Sequence, residues 1–281
     1  VKIIQFARQF SPSYKEIVLS GGEPLIHHDF AEVLKQVREN GGESVTLTTN
    51  GSLLTNKHLL LIKDLSFQSF MVSVSLDNLN SDKNDKFRVH KGAFQKAVEA
   101  LRLVAESNLP NVVASMRSTI QASQIGEMES MVNFAINIGC KRISFSAIHP
   151  AGRAIGRNDL WMTCEQKLEF LKEIYRLKKL FLDINITTSD PLKCLLRGKS
   201  DTGEDGKLVF DGCSAAAITF NVEPDGTMTP CSLLNIPMMN VFPLSLEQIT
   251  QLYRENPIVK NMLRMNFKGK CGLCKIKYQC G

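Results

Sequence analysis

The sequence predicts an α/β fold: a partial (β/α) barrel followed by a small cysteine-rich module that contains a β-hairpin and helices. Over the first two-thirds of the 281 residues, short β-branched runs alternate with longer amphipathic stretches, which is typical of βα units and a parallel sheet. Buried strands joined by right-handed crossovers close naturally into a full or partial barrel. Five of the eight cysteines lie in the last quarter of the chain.

Six strands and the helices between them account for the predicted barrel. The predicted strands are Ile17–Ser20, Val45–Thr49, Met71–Ser75, Val112–Ile120, Arg142–Ala147 and Ile184–Thr187. The predicted helices, whose apolar residues recur at helical spacing, are Phe30–Glu39, Lys57–Leu65, Ala93–Ser107, Ile125–Ile138 and Cys164–Leu180. Val1 to Gln9 is also predicted to be helical. Because a βα repeat begins with a strand, we expect the first strand of the barrel to be missing from this chain.

A second domain is expected after Asp190. The segment Arg197 to Gly206 is rich in Gly, Asp, Ser and Lys, which is typical of a linker or surface loop. Beyond it, Pro224-Asp225-Gly226 predicts the turn of a hairpin, and two short helices are expected before the last cysteines. We therefore predict a barrel domain over residues 1–190 and a cysteine-rich domain over residues 191–281.

Composition excludes several classes of protein. The net charge of +6 comes from Lys and Arg scattered along the chain, so no nucleic-acid partner is expected. Apolar runs such as Ser66 to Leu76 are too short to span a membrane, and no leader peptide is evident, so we expect a cytoplasmic protein without a membrane partner. Eight cysteines in a chain of this kind indicate metal or redox chemistry more than disulfides.

Three polar clusters follow predicted strands, at the carboxyl edge where ligands bind in parallel α/β folds. They are Ser20 to Pro24, Thr48 to Gly51, and Ser73 to Asp77. Each has a simpler interpretation, as a glycine-rich turn, as an Asn-Gly turn, or, for Asp77, as a helix N-cap or loop anchor. The third cluster places Ser75 and Asp77 at one strand end, where both could reach the same site.

In their order and spacing, the three clusters resemble the SAM-binding half of the radical S-adenosylmethionine (SAM) superfamily. Gly21, Gly22, Glu23 and Pro24 match the family's GGEP motif, and the resemblance implies that this backbone and the Glu23 carboxylate hold the amino group of SAM. Thr49 and Asn50 match the polar residues of the next strand end. Ser75 and Asp77 match the strand that lies near SAM or the substrate.

The resemblance extends to two further strands. Ser115 and Arg117 match a ribose contact and a carboxylate-binding arginine, although an arginine in a salt bridge at the barrel surface is an equally good interpretation. Ser146 and Ile148 end a strand that is similar to the adenine-contacting segment of the family. The family's CxxxCxxC loop, which holds a 4Fe-4S cluster, is absent from the sequence, and we expect truncation to be the reason.

The C-terminal cysteines resemble the SPASM extension of radical SAM maturases, which carries auxiliary 4Fe-4S clusters. The resemblance implies that Cys213 and Cys231 bind a first auxiliary cluster. Cys271, Cys274 and Cys280 would bind a second, with further ligands expected beyond the end of the chain. A zinc ribbon is the alternative, because CxxC turns around a hairpin also make tetrahedral zinc sites.

The resemblance implies a radical SAM oxidoreductase or maturase, with SAM and 4Fe-4S clusters as cofactors. Such an enzyme forms a 5'-deoxyadenosyl radical that abstracts hydrogen from a substrate. For this chain, we expect the substrate to be a peptide or protein side chain. The alternatives are modification of a tetrapyrrole side chain and, in another class, a non-catalytic iron-sulfur scaffold or zinc-binding protein. The electron donor would be a flavodoxin or ferredoxin, and no catalytic residue is predicted.

Overall fold

The computed structural model describes residues 1–10, 16–196, 213–264, 267–275 and 277. The chain forms two compact units, which we call the sheet unit and the cysteine unit. The sheet unit contains residues 1, 3–148 and 162–189, and the cysteine unit contains the remainder. The predicted linker after residue 196 lies outside the described residues, and the division into two named domains stays a prediction.

The sheet unit is built on six parallel strands in the order β1-β2-β3-β4-β5-β6, which confirms the expected α/β class. The strands are β1 (Glu16–Leu19), β2 (Ser44–Thr49), β3 (Ser69–Ser75), β4 (Val112–Ile120), β5 (Arg142–Ala147) and β6 (Asn185–Thr187). The helices are α1 (Lys2–Phe10), α2 (Phe30–Glu39), α3 (Asn56–Leu65), α4 (Ser81–Arg88), α5 (Ala93–Glu106), α6 (Met128–Ile138) and α7 (Cys164–Leu180).

Side chains alternate along each strand and give the sheet one apolar face. The strand register places Leu47 beside Val72 and Met116 beside Ile143, and all four side chains are buried. Helices α5, α6 and α7 contact strands β3 to β5. The apolar side chains buried between these helices and the apolar face therefore form the core. Burial of each large apolar side chain stabilises the fold by about 1.5–3 kcal/mol.

The opposite face of the sheet is mostly polar. In register across β2 to β5, it carries Thr46, Thr48, Ser73, Ser75, Ser115, Arg117, Ser144 and Ser146. At the amino ends of the strands this face lines a cavity of about 390 Å³. The cavity receives a residue from every strand: Glu16, Thr46, Met71, Val113, Arg142 and Asn185. Since all six strands reach one cavity, the polar face is concave, as in a partial barrel.

The cysteine unit contains a small antiparallel sheet of β7 (Asn221–Val222), β8 (Thr227–Thr229) and β9 (Met239–Asn240). The expected hairpin forms between β7 and β8, with Gly226 at φ +86°, a conformation that glycine adopts at little cost. Three helices follow: α8 (Leu246–Glu255), α9 (Pro257–Leu263) and α10 (Gly269–Leu273). The buried Tyr253 hydroxyl donates to the Ala216 carbonyl (2.7 Å), which ties α8 to the segment before the hairpin.

Among the described residues, no helix has both the length and the apolar character that crossing a membrane requires.

Candidate functional site

The Glu23 carboxylate is the central feature of the carboxyl edge. Its Oε1 accepts hydrogen bonds from the Thr49 hydroxyl (2.7 Å) and the Leu25 backbone N–H (3.3 Å). Its Oε2 accepts from the Asn50 backbone N–H (2.7 Å). These bonds join the loop after β1 to the end of β2 and fix the orientation of a half-buried carboxylate. Glu23 also caps the short 3₁₀ helix Pro24–Ile26.

This carboxylate retains the capacity to bind a cation. A carboxylate offers about four lone-pair sites, and the three described donors leave one for a ligand. The preceding Gly21 and Gly22 are exposed, and a Cβ atom on either would meet nothing within 4 Å. The loop thus presents open backbone beside an oriented carboxylate, an arrangement that fits the ammonium group of an amino-acid ligand.

Thr49 stabilises the loops after β1 and β2 through hydrogen bonds of its side chain. It belongs to the apolar face, opposite Val74 in register, and is only 2% exposed. Its hydroxyl donates to Glu23 and accepts from the Gly51 N–H (3.0 Å). Asn50 is exposed, and its Oδ1 accepts from Ser52 N–H (2.8 Å). The structure therefore brings Thr49, Asn50 and Glu23 together, and Asn50, directly after β2, is more accessible than Thr49.

Four of the other predicted residues share the polar face of the sheet. Ser75 lies beside Arg117 in register, and Ser115 lies two residues before Arg117 on the same strand. Ser146 is paired with Thr119, near the end of β5. Ser115 and Ser146 are buried, whereas the Arg117 side chain is exposed. Ile148, the remaining candidate of this group, follows the end of β5 and is half-buried.

Asp77 is held by protein groups. Its Oδ2 forms an ion pair with the Arg88 Nε (2.5 Å), and its Oδ1 accepts from the Thr119 N–H (2.7 Å). Burial raises the pKa of Asp77, while Arg88 and Thr119 oppose that shift. Although Arg117 is exposed as a residue, desolvation of its guanidinium by the surrounding protein lowers the pKa of Arg117, and the Asp77 carboxylate acts against that shift. These contacts are those of a loop anchor, and direct ligand binding by Asp77 stays a prediction.

The chain brings Cys213 and Cys231 into one region of the cysteine unit. The Ala216 N–H donates to the Pro230 carbonyl (3.0 Å), so the segment that begins at Cys213 runs beside the end of the hairpin. Both thiols are free and half-buried. The Cys231 Sγ accepts from the Leu234 N–H (3.3 Å), an interaction that stabilises a thiolate ligand.

Cys271 and Cys274 lie on one turn at the end of α10, where the Cys274 N–H donates to the Cys271 carbonyl (3.1 Å). Both thiols are free and exposed. This donor set of thiolates fits a soft metal centre. The fifth predicted ligand, Cys280, lies outside the described residues.

Several residues of this region were not among the predicted site residues, although Thr48 belongs to the second polar cluster of the sequence. Thr48 is half-buried there, one position before the predicted Thr49. Lys141, Arg142 and Glu16 line the cavity at the amino edge. The alternation of polar residues along the strands could have indicated Thr48 and Arg142, because a strand buried on both faces would be apolar throughout.

Two curated relatives are similar over most of the chain. The AdoMet-dependent heme synthase of Methanosarcina barkeri is 24% identical over 277 residues, covering 94% of this chain and 75% of the relative. The antilisterial bacteriocin subtilosin biosynthesis protein AlbA of Bacillus subtilis is 24% identical over 277 residues. That match covers 92% of this chain and 56% of AlbA, so the chain spans little more than half of AlbA's length.

A solved structure has the same fold. Streptococcus suis SuiB bound to its precursor peptide SuiA matches with a TM-score of 0.72 and 17% sequence identity. The match covers 99% of this chain and 63% of SuiB.

A match to a known family covers the first 135 residues of the chain. Residues 1–135, which contain the glycine loop, Glu23, Asn50, Ser75 and Asp77, match the radical SAM superfamily. The cofactors of that superfamily are SAM and a 4Fe-4S cluster. Residues 1–135 therefore form a radical SAM domain, and the chain continues beyond the matched residues as a C-terminal extension.

Proposed function

We propose that this chain binds SAM at the carboxyl edge of the sheet and acts as a radical SAM maturase on a peptide or protein side chain. The observation that carries the proposal is the Glu23 carboxylate, oriented by Thr49 and Asn50 beside the open Gly21–Gly22 backbone. A carboxylate held in this way favours an ammonium group over a neutral ligand because the hydrogen bond is charge-assisted.

When bound, SAM and its 4Fe-4S cluster supply a 5'-deoxyadenosyl radical that abstracts a hydrogen atom. The chain's own residues bind and orient the reacting groups. Glu23 is proposed to receive the ammonium group, and the open Gly21–Gly22 backbone directly precedes it in the loop. The remainder of the SAM site along the polar face is proposed to be lined by Ser75, Ser115, Arg117, Ser146 and Ile148. The Arg117 guanidinium is the group proposed to bind a carboxylate.

The cysteine unit is proposed to hold auxiliary 4Fe-4S clusters. Cys213 and Cys231 are the proposed ligands of the first cluster, and Cys271, Cys274 and Cys280 belong to the second. The proximity of the first two segments and the free thiols of the four described cysteines support this assignment. A zinc site of four thiolates is the competing proposal.

Two relatives favour a peptide substrate. AlbA is a bacteriocin biosynthesis protein, and SuiB binds a precursor peptide. The heme synthase of M. barkeri favours the second candidate, modification of a tetrapyrrole side chain. The concave polar face is compatible with either substrate.

The test is anaerobic calorimetry of SAM binding to the full-length protein reconstituted with iron and sulfide. Glu23→Gln removes a charge-assisted hydrogen bond, which contributes about 1.5–3 kcal/mol to the binding free energy. SAM affinity should therefore fall by about ten- to a hundredfold. Glu32→Gln is the control, since Glu32 is exposed on α2. Equal SAM affinity in wild type and Glu23→Gln with intact clusters would remove Glu23 from the site.

The enzyme and scaffold proposals separate in a second assay. With dithionite and SAM, the loaded protein should release 5'-deoxyadenosine, detected by mass spectrometry. A protein that binds SAM and carries full clusters but forms no 5'-deoxyadenosine would support the scaffold. Addition of a precursor peptide or of an iron coproporphyrin then identifies the substrate class through the mass change of the product.

A further inference from the structure

The cavity at the amino edge of the sheet begins next to one residue proposed to bind SAM, because Arg142 lies beside Ser115 in register, and it extends away from the carboxyl edge. Val113 lines the cavity and lies four residues before Arg117 on β4. Met71 has the same relation to Ser75 on β3. At about 3.3 Å per residue, the cavity lies roughly 13 Å along the polar face from the carboxyl edge.

The charges of this cavity are divided between its two sides. Lys141 and Arg142 lie at the start of β5, and Glu16 lies at the start of β1. The Glu16 carboxylate accepts a hydrogen bond from the buried Thr46 hydroxyl. Among the residues that line the cavity, cations therefore exceed anions, and the cations are grouped on one side.

Arg142 is held in place but retains donors. Its Nε donates to the Thr187 hydroxyl (3.2 Å), and its Nη1 contacts the Met71 sulfur at 3.8 Å. A guanidinium carries five N–H donors in a rigid fork, and the described contacts use two of them. Because its side chain is half-buried, water screens its charge less than that of a surface arginine. These properties suit bidentate binding of a carboxylate.

We propose that this cavity is a second ligand subsite, which binds a carboxylate of the substrate through Arg142 and Lys141. The inference rests on the proposed function, because it takes the substrate to react at the carboxyl edge. In an extended peptide, the roughly 13 Å between the two places corresponds to about four residues. The anchoring acidic residue would therefore lie about four positions from the residue that reacts. In a tetrapyrrole, a propionate would supply the same carboxylate.

The test uses two probes of known composition and contains no SAM. The first is the blocked tetrapeptide acetyl-Glu-Ala-Ala-Ala-amide, with the glutamine peptide as its neutral match. The second is coproporphyrin III, which carries propionates. Titrations of the 281-residue chain at low salt are followed by ligand-observed NMR. At least one acidic probe should bind at least fivefold more tightly than the glutamine peptide.

Variants identify the residues that are responsible. Arg142→Gln should lower the affinity for the acidic probe at least tenfold, and Lys141→Gln should lower it about threefold. The effect of Arg142→Lys should be smaller than that of Arg142→Gln. Glu16→Gln should strengthen binding at least twofold, because it removes a negative charge from the cavity; a merely structural role for Glu16 would not have this effect. Lys96→Gln, on the exposed surface of α5, should change nothing.

Circular dichroism melts establish that each variant folds. Lys141 is exposed, so its variant keeps the test decisive even if Arg142→Gln is unstable. Peptide binding that depends on these cations supports the subsite with a peptide source, and porphyrin binding with the same dependence supports it with a tetrapyrrole source. Equal affinity for the acidic and glutamine peptides together with porphyrin binding that is insensitive to Lys141 and Arg142 would overturn the proposal. Since no SAM is present, that failure would leave the proposed SAM site intact.

Discussion

The Thr49 hydroxyl donates a 2.7 Å hydrogen bond to the Glu23 carboxylate, although the two residues belong to different βα units. Thr49 is buried on the apolar side of the sheet, whereas Glu23 is in the loop that faces the proposed ligand. The orientation of the SAM-binding carboxylate therefore depends on a residue that solvent hardly reaches.

Thr49→Val should separate this supporting role from direct binding. Valine keeps the shape of threonine, but it leaves the Gly51 N–H without its acceptor and removes one of the three donors to Glu23. We expect the free energy of unfolding to fall by about 1–3 kcal/mol and SAM affinity to fall less than in Glu23→Gln. Thr49→Ser should restore both the unfolding free energy and the SAM affinity. Chemical denaturation measures the first, and calorimetry measures the second. Full SAM affinity in Thr49→Val would mean that the loop orients Glu23 without this bond.

Gly51→Ala should destabilise the sheet unit. Gly51 has φ +84°, and a Cβ atom there would lie 2.8 Å from the Ala100 Cβ and 3.1 Å from the Val74 Cγ1. Backbone strain and overpacking together should cost about 2–4 kcal/mol. The matched control is Gly126→Ala, where an added Cβ meets nothing within 4 Å. Equal melting temperatures for the two variants would contradict the close packing of β3, α5 and the loop after β2.

The buried Asp77 should make stability depend on pH in a specific direction. Burial raises its pKa above the ordinary value of 3.8. A carboxyl whose pKa is raised by folding contributes stability in acid, and this contribution is lost as pH rises through the folded-state pKa. The unfolding free energy of wild type minus that of Asp77→Asn should therefore be larger at pH 4 than at pH 7. A difference that grows with pH would show that the Arg88 ion pair outweighs burial.

Cys140 and Cys164 should differ strongly in reactivity. Burial raises the pKa of the Cys140 thiol to about 12, whereas Cys164 is exposed at the start of α7. At pH 8, the Cys140 thiolate fraction is then about a thousandfold below that of an unshifted thiol. Brief treatment with iodoacetamide followed by peptide mass spectrometry should modify Cys164 and spare Cys140 until urea unfolds the chain. Early labelling of Cys140 would contradict its burial.

Cys231→Ala should remove iron from the reconstituted full-length protein. We expect a loss of about four iron atoms per chain, one cluster's worth, with the sheet unit still folded. Cys164→Ala is the control, because Cys164 lies on α7 of the sheet unit and outside the proposed cluster ligands. Iron and sulfide analysis measures the effect. Stoichiometric zinc in place of iron, lost with the same cysteine, would establish the zinc-ribbon alternative.

Sequence patterns predicted the six strands of the sheet unit and five of its crossover helices within a few residues. The helix α4 was missed because its sequence, SDKNDKFR, has almost no apolar periodicity. It is stabilised by local polar contacts: the Asn80 side chain caps its first turn, and Asp85 accepts from the Gly92 and Phe94 N–H groups. Such contacts leave little trace in a pattern of apolar spacing.

The predicted site residues lie near the carboxyl edge because parallel strands bring their ends together, and their order along the chain was enough to indicate this. Their orientations were not predictable in the same way. Thr49 and Asn50 are adjacent in sequence, yet one is buried and the other exposed. The amino-edge cavity was missed because it depends on the curvature of the whole sheet, which brings Glu16 of β1 and Asn185 of β6 to one place.

The two unlike faces of the sheet limit how this protein can change over evolutionary time. A one-residue insertion within β3 or β4 would reverse the faces and place Val74 or Met116 in the concavity and serines among the helices. Insertions in the loops that follow the strands carry no such penalty. New specificities should therefore arise through loop lengths and through substitutions on the polar face, while the number of residues in each central strand stays constant.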